Sequence, residues 1–162
     1  MRGLRIDAGR FTVRLAESEN DVAAAQRLRY RVFVEEMGAN CSEEERAARR
    51  EIDEFDPHFD HLILIDNEAA SDDPLDSVVG VYRLMTGTMA REGIGFYGAT
   101  EYDLSKLEAY PRETLELGRS CVGREHRGGS GMHLLWTVLG EYVAERGVEI
   151  MFGVASFHGS DP

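Results

Sequence analysis

The 162-residue chain is poor in cysteine (two), proline (four), tryptophan (one) and basic residues. Two cysteines, Cys41 and Cys121, are too few for a disulfide framework, which points to a reducing, cytoplasmic setting. Arginine and lysine number 18 against 30 acids, a net charge of −12. That balance excludes nonspecific nucleic-acid binding, which needs a basic footprint. Any anionic ligand has to be met by local arginines against the overall field. No stretch is long and apolar enough to span a bilayer. The opening MRGLRIDAGR lacks the continuous apolar run of a secretory signal. Repeats, low-complexity tracts and domain boundaries are missing as well. What remains is a chain of ordinary composition, 43% apolar, expected to form a single domain with a core.

Strand and helix patterns alternate along it. Strands are expected at Phe11 to Leu15, His61 to Ile65, Val78 to Met85, Leu115 to Val122 and Glu149 to Phe157. Ser18 opens a helix, with Asp21 three residues later as a weak capping box. Val22, Ala25, Leu28, Val32 and Phe33 give that helix its apolar face. Residues 40–51 are charged and read as helical or loose. NEAASDDPLDS reads as a hairpin loop. Residues 86–112 are glycine-rich and aromatic, with a short helical piece near Leu104 to Leu107. Ser130 to Arg146 reads as a helix with Met132, Leu135, Trp136, Leu139 and Val143 at helical spacing, ended by Gly147.

The most informative stretch is SCVGREHRGGSGMHLLW. An apolar strand breaks into arginines and glycines and turns at once into a helix. Gly128, Gly129 and Gly131 leave the backbone N–H groups of Gly129 to Met132 free to converge on an anion at the helix N-terminus. No Lys-Ser/Thr follows, so this is not a P-loop. The glycine spacing is not that of a dinucleotide fingerprint either.

In order, RYRVFVEE (Arg29 to Glu36), EIDEFD (Glu51 to Asp56), VVGVYRLM (Val78 to Met85), ELGRSCV (Glu116 to Val122) and the glycine turn resemble the GCN5-related N-acyltransferase superfamily. Within it, the order resembles the acyl-homoserine-lactone synthases and the ornithine N-acyltransferases of ornithine-lipid synthesis. FYGATEYDLSKL, LLWTVLGEYV and GVASFHGSDP look like the ornithine group. The tryptophan that lactone synthases carry shortly after Arg-x-x-Val-Phe is replaced here by MGANC. The resemblance covers nearly everything from Phe11 onward. It implies an α/β fold, a mixed and mostly antiparallel sheet flanked by helices. That fold has further C-terminal strands, which this chain is expected to lack as a truncated domain. The implied activity is transfer of a (3-hydroxy)fatty acyl group to the α-amine of ornithine, giving lyso-ornithine lipid. The donor would be a phosphopantetheine thioester on acyl carrier protein, or acyl-CoA, with no permanently bound cofactor. Peripheral contact with the inner membrane face is compatible with it. Another N-acyl amino acid or lactone synthase is the alternative enzyme. A noncatalytic binder of acyl thioester or carrier protein is the alternative of a different class.

Acyl transfer to an amine needs a base, an oxyanion donor and an exit for thiolate. Glu116, in an otherwise apolar strand, is the expected base. Arg119 lies three residues on, and side chains alternate along a strand. A bulge at Gly118 would bring both to one face and let Arg119 pair with Glu116. Backbone N–H groups near Cys121 and Val122 are the expected oxyanion donors. His158 and Tyr142 are candidate leaving-group acids. Arg83 lies in an apolar strand and needs partners, for which Asp53 and Asp56 are available. The resemblance adds Arg29 to that cluster and makes it, with Phe33, part of the substrate site. Arg124, Arg127, Gly128, Gly129, Ser130, Gly131 and Met132 would meet the donor's phosphate. Phe33, Phe96, Tyr97, Leu104 and Trp136 are the large apolar groups available to an acyl chain. Arg27, Arg31, Arg46, Arg49 and Arg50 could dock an acidic carrier protein. His58 and His61 are spaced by three beside Pro57, but nothing completes a metal ligand set.

Overall fold

A computed structural model describes residues 4–155. Six strands form one sheet in sequence order: β1 (Arg5–Ala8), β2 (Phe11–Leu15), β3 (Asp60–Asp66), β4 (Val78–Thr86), β5 (Glu113–Val122) and β6 (Val148–Phe152). The first five are antiparallel neighbours, and β6 runs parallel to β5. β1 was not expected, because RIDA is short and half polar. β6 is described as a strand only to Phe152, short of the Phe157 expected.

The helices are α1 (Glu19–Arg29), α2 (Glu43–Ala48), α3 (Gly87–Glu92), α4 (Ser105–Glu108) and α5 (Ser130–Arg146). α1 packs on one face of the sheet, where Ala24, Ala25 and Leu28 meet Ile63, Val78 and Val81. α5 packs on the other face through Leu135, Val138, Leu139 and Tyr142, against Leu62, Leu64, Leu84 and Leu115. Each such side chain contributes about 1.5–3 kcal/mol when fully buried. This face of α5 differs from the expected one. Trp136 falls outside it, 52% exposed, with its ring edge against Tyr82. Spacing alone placed Trp136 beside Leu135; the sheet selected the stripe centred on Leu135, Val138 and Tyr142.

α1 begins as expected, with the Ser18 hydroxyl accepting from Asp21 N. Asp21 turns its carboxylate to Arg14 and the Glu17 N–H instead of closing a box. The expected single helix changes character after Arg29. Tyr30–Glu36 is a π-helix, in which Met37 N donates to Val32 O. Such wide turns shift the helix phase and are frequent at functional sites. Here Val32 stays buried while Phe33 reaches a surface groove. No helix among the described residues is long and apolar enough to cross a membrane.

Candidate active site

β5 organises the site. Its parallel pairing with β6 ends at Glu116–Phe152. Beyond that point, the edge of Leu117 to Val122 facing away from β4 has no strand partner among the described residues. Opposite β4 the register slips between Val81 and Arg83: only Tyr82 intervenes there, against Arg119 and Ser120 on β5. The bulge is therefore at Arg119–Ser120, one residue later than expected, and Gly118 stays paired with Arg83. Arg119 carries the cost, with φ +47°, a left-handed conformation uncommon for a residue with a side chain. The bulge does bring Glu116 and Arg119 to one cavity of about 100 Å³, which Phe59, Arg83, Tyr97 and Glu101 also line.

The expected Glu116–Arg119 ion pair does not form. Glu116 is 2% exposed and accepts from the backbone N–H of Tyr97 at 2.8 Å and of Gly98 at 2.6 Å. Burial pushes its carboxyl above the ordinary range, against the pull of those N–H groups and of Arg83. Gly98 packs tightly against that carboxylate: a Cβ there would lie 3.0 Å from Glu116 Oε1, so the glutamate would have to shift to admit one. Arg119 instead donates to Glu51 at 3.0 Å and Asp53 at 3.4 Å, with its guanidinium 5.1 Å from the Tyr97 ring.

Behind the cavity, the expected arginine–aspartate cluster is present and larger than expected. Arg29 donates to both Asp56 oxygens at 2.8 Å. Arg83 donates to Asp53 at 2.7 Å and to Asp56 at 3.0 Å. Glu51 joins Arg29 to Arg119; its contact with Arg29 Nε is ionic but off-line for a hydrogen bond. Three guanidinium groups thus share three carboxylates, so the buried charges balance. Burial would raise the Asp56 carboxyl, but Arg29 and Gln26 hold it well below the usual range. His61 Nε2 contacts Asp56 O, and burial lowers its pKa. The repeated acids of EIDEFD were the available signal for Glu51. Tyr97 was expected only as a large group for an acyl chain; nothing local marked the backbone N–H groups of Tyr97 and Gly98 that hold Glu116.

A larger groove of about 760 Å³ adjoins the small cavity and shares Leu117, Gly118, Arg119 and Val154 with it. Phe33, Val34 and Met37 form its apolar wall. Of the other large apolar groups, Phe96 is buried in a cluster with Phe55, Phe59 and Met85, against which Leu104 packs.

The glycine turn leads into α5 as expected, with Gly128 at φ +73° and Gly129 at the N-cap. Gly129, Ser130 and Gly131 line a cavity of about 530 Å³ with Arg10, Arg31 and His126. The arginines expected at this turn are engaged elsewhere: Arg127 donates to Glu36 and to Val122 O, and Arg124 lies 3.5 Å from Glu36. Arg10 and Arg31, unforeseen here, face the turn, although Asp66 binds both Arg10 and His126. Met132 packs against the α5 core. Cys121 pairs with Val81 and packs on the α1 layer, and burial pushes its thiol up to about 12. Gly131 is a packing residue, since a Cβ would come 2.7 Å from Leu64 Cδ2.

Tyr142 is removed as a leaving-group acid. It is fully buried under α5, its hydroxyl donates to Asp60 at 2.8 Å, and burial raises its pKa further. His158, the other candidate, lies outside the described residues. The expected docking arginines are largely neutralised: Arg27 and Arg31 by Asp73 and Asp76, and Arg49 by Glu35.

A strand that bulges, parts from a parallel neighbour and enters a helix through a glycine turn defines an N-acyltransferase-type domain. The chain belongs to the acetyltransferase (GNAT) domain family, whose description matches residues 28–137. Among its relatives, the L-ornithine N(alpha)-acyltransferase of Rhodobacter capsulatus is 50% identical over 151 residues, covering 93% of this chain and 58% of that protein. The chain spans 51–58% of the length of the four curated relatives of that name. Two solved structures share the fold at 15% identity. The N-acyl amino acid synthase FeeM, from uncultured soil microbes, has a TM-score of 0.61, with 89% of this chain and 71% of that one covered. The acyl-homoserine-lactone synthase LasI has a TM-score of 0.62, covering 92% and 74%.

Proposed function

We propose that the chain carries the acyl-transfer site of an enzyme that moves a (3-hydroxy)fatty acyl group from acyl carrier protein to the α-amine of L-ornithine. The observation that carries this reading is Glu116: a buried carboxylate, raised in pKa, at the point where β5 parts from β6. A base whose pKa is shifted toward neutrality suits deprotonation of an α-ammonium, whose own value is about 8. The two N–H bonds from Tyr97 and Gly98 fix its orientation.

The thioester lies along the open edge of β5, with its acyl chain in the Phe33 groove and its phosphate at the turn before α5. The amine attacks the thioester carbon. A backbone N–H of the open edge, near Cys121 and Val122, stabilises the oxyanion. The C–S bond breaks, and the leaving thiolate takes the proton that the acylated nitrogen sheds, while Glu116 returns to solvent the proton it drew from the ammonium. Arg83 and Arg119 hold the acceptor's carboxylate, while Glu51, Asp53 and Asp56 hold those arginines in place and Arg29 pairs with Glu51 and Asp56 behind them. The names of the relatives support ornithine as acceptor.

The test incubates purified protein with acyl carrier protein thioester or acyl-CoA and a panel of amino acids, and identifies products by mass spectrometry. Nα-acyl-ornithine is the expected product, formed faster from the carrier-protein thioester. Absence of any N-acyl product overturns the reading.

A further inference from the structure

The small cavity holds a second carboxylate that acyl transfer does not use. Glu101 lines it together with Glu116. The two differ in placement: Glu116 is buried at the β5 end, whereas Glu101 is exposed at the rim. Glu101 follows the short turn Tyr97–Thr100 and is steadied by Tyr97, whose hydroxyl donates to its Oε1 at 3.3 Å. The same tyrosine supplies one N–H to Glu116, so a single residue ties both acids. Arg83 also lines the cavity. It is 1% exposed, and its Nε has no hydrogen-bond partner among the described residues. A buried donor left unmet can take an acceptor oxygen from a bound molecule, such as one oxygen of a carboxylate. At about 100 Å³ the space is several times the ~10–15 Å³ that one water needs, room for the amine and carboxylate groups of an acceptor whose side chain extends to the rim.

We propose that Glu101 binds the side-chain ammonium of a diamino-acid acceptor, so that it sets both which amino acid is taken and which of its two amines is acylated. This rests on the ornithine reading above. With the acceptor's carboxylate at Arg83 and Arg119 and its α-amine at Glu116, the second amine extends toward the rim. There Glu101 keeps it charged, and a protonated amine is no nucleophile. The reactive amine is thereby limited to the one beside Glu116.

The experiment compares kcat/KM for ornithine, lysine, 2,4-diaminobutyrate and norvaline, which has ornithine's chain length without the second amine, in wild type, Glu101→Gln and Glu101→Asp. The expected result is an ornithine-to-norvaline ratio that falls about tenfold in Glu101→Gln, the size of one charge-assisted hydrogen bond. Nδ-acyl-ornithine should appear among its products, and Glu101→Asp should restore part of the ratio with a shift toward lysine, the longer acceptor. An unchanged ratio with Nα product alone in Glu101→Gln overturns the proposal and leaves ornithine acylation standing. No acylation of any acceptor by wild type overturns both.

Discussion

Asp56→Asn tests the buried charge cluster at its centre. Asp56 is 4% exposed and receives five donors: two from Arg29 and one each from Arg83, Gln26 and the Asp53 backbone. Asparagine keeps one acceptor oxygen and turns an NH2 toward groups that are themselves donors. Arg29 and Arg83, at 0% and 1% exposure, would keep only Glu51 and Asp53 between them. Removing one partner of a buried ion pair costs about 3–5 kcal/mol. The surviving carboxylates favour the lower end of that range, about 3 kcal/mol. At this chain length each kcal/mol moves Tm by about 2–4 °C, so the variant should melt about 6–12 °C lower. A domain stable by about 5–15 kcal/mol still folds after that loss. Thermal melts followed by circular dichroism at neutral pH measure the shift. A second arm uses acid. Because the Asp56 pKa is lowered on folding, its stabilisation is present above its unfolded value of 3.8 and is lost as pH falls toward the folded one. The variant should therefore lose less stability than wild type on acidification through that window. A variant within 2 °C of wild type and equally acid-sensitive would refute the central role given to Asp56 (a shift that small is about 1 kcal/mol or less).

Other outcomes follow from single contacts. Glu116→Gln should lower kcat by about 10²–10⁴ with little change in KM for the donor, and wild-type turnover would remove Glu116 as the base. The acid limb of kcat/KM should lie above 4.5, the ordinary glutamate value, because burial raises Glu116 and the base form is lost as pH falls through the raised value; a limb at or below 4.5 would contradict this. Gly131→Val should lower stability by about 1–3 kcal/mol through the clash with Leu64, visible as a lower urea midpoint without donor present. Tyr142→Phe should cost about 0.5–1.5 kcal/mol for the lost bond to Asp60 and leave the pH–rate profile in place.

Much of the fold was legible in the chain itself because its signals are local. Short apolar runs marked β2 to β5, and glycines bracketed α5 so sharply that both its ends, Ser130 and Arg146, agree with expectation. The order of RYRVFVEE, EIDEFD, ELGRSCV and the glycine turn identified the superfamily and drew attention to Glu116, Arg83 and the aspartates. The charge of Arg83 in an apolar strand demanded acidic partners, and Asp53 and Asp56 supply them. Other features depend on contacts between distant segments, which spacing does not encode. The sheet, not the helical period, chose which stripe of α5 is buried, and so exposed Trp136. The bulge fell on Arg119 because Gly118 remained paired to Arg83. Arg119 thus met Glu51, 68 residues away, leaving Glu116 to the backbone of Tyr97 and Gly98. Residue identity determined which charges this protein must bury; only the tertiary structure decided which of them neutralise one another and which face the open cavity, because burial and distance set the strength of each ionic contact.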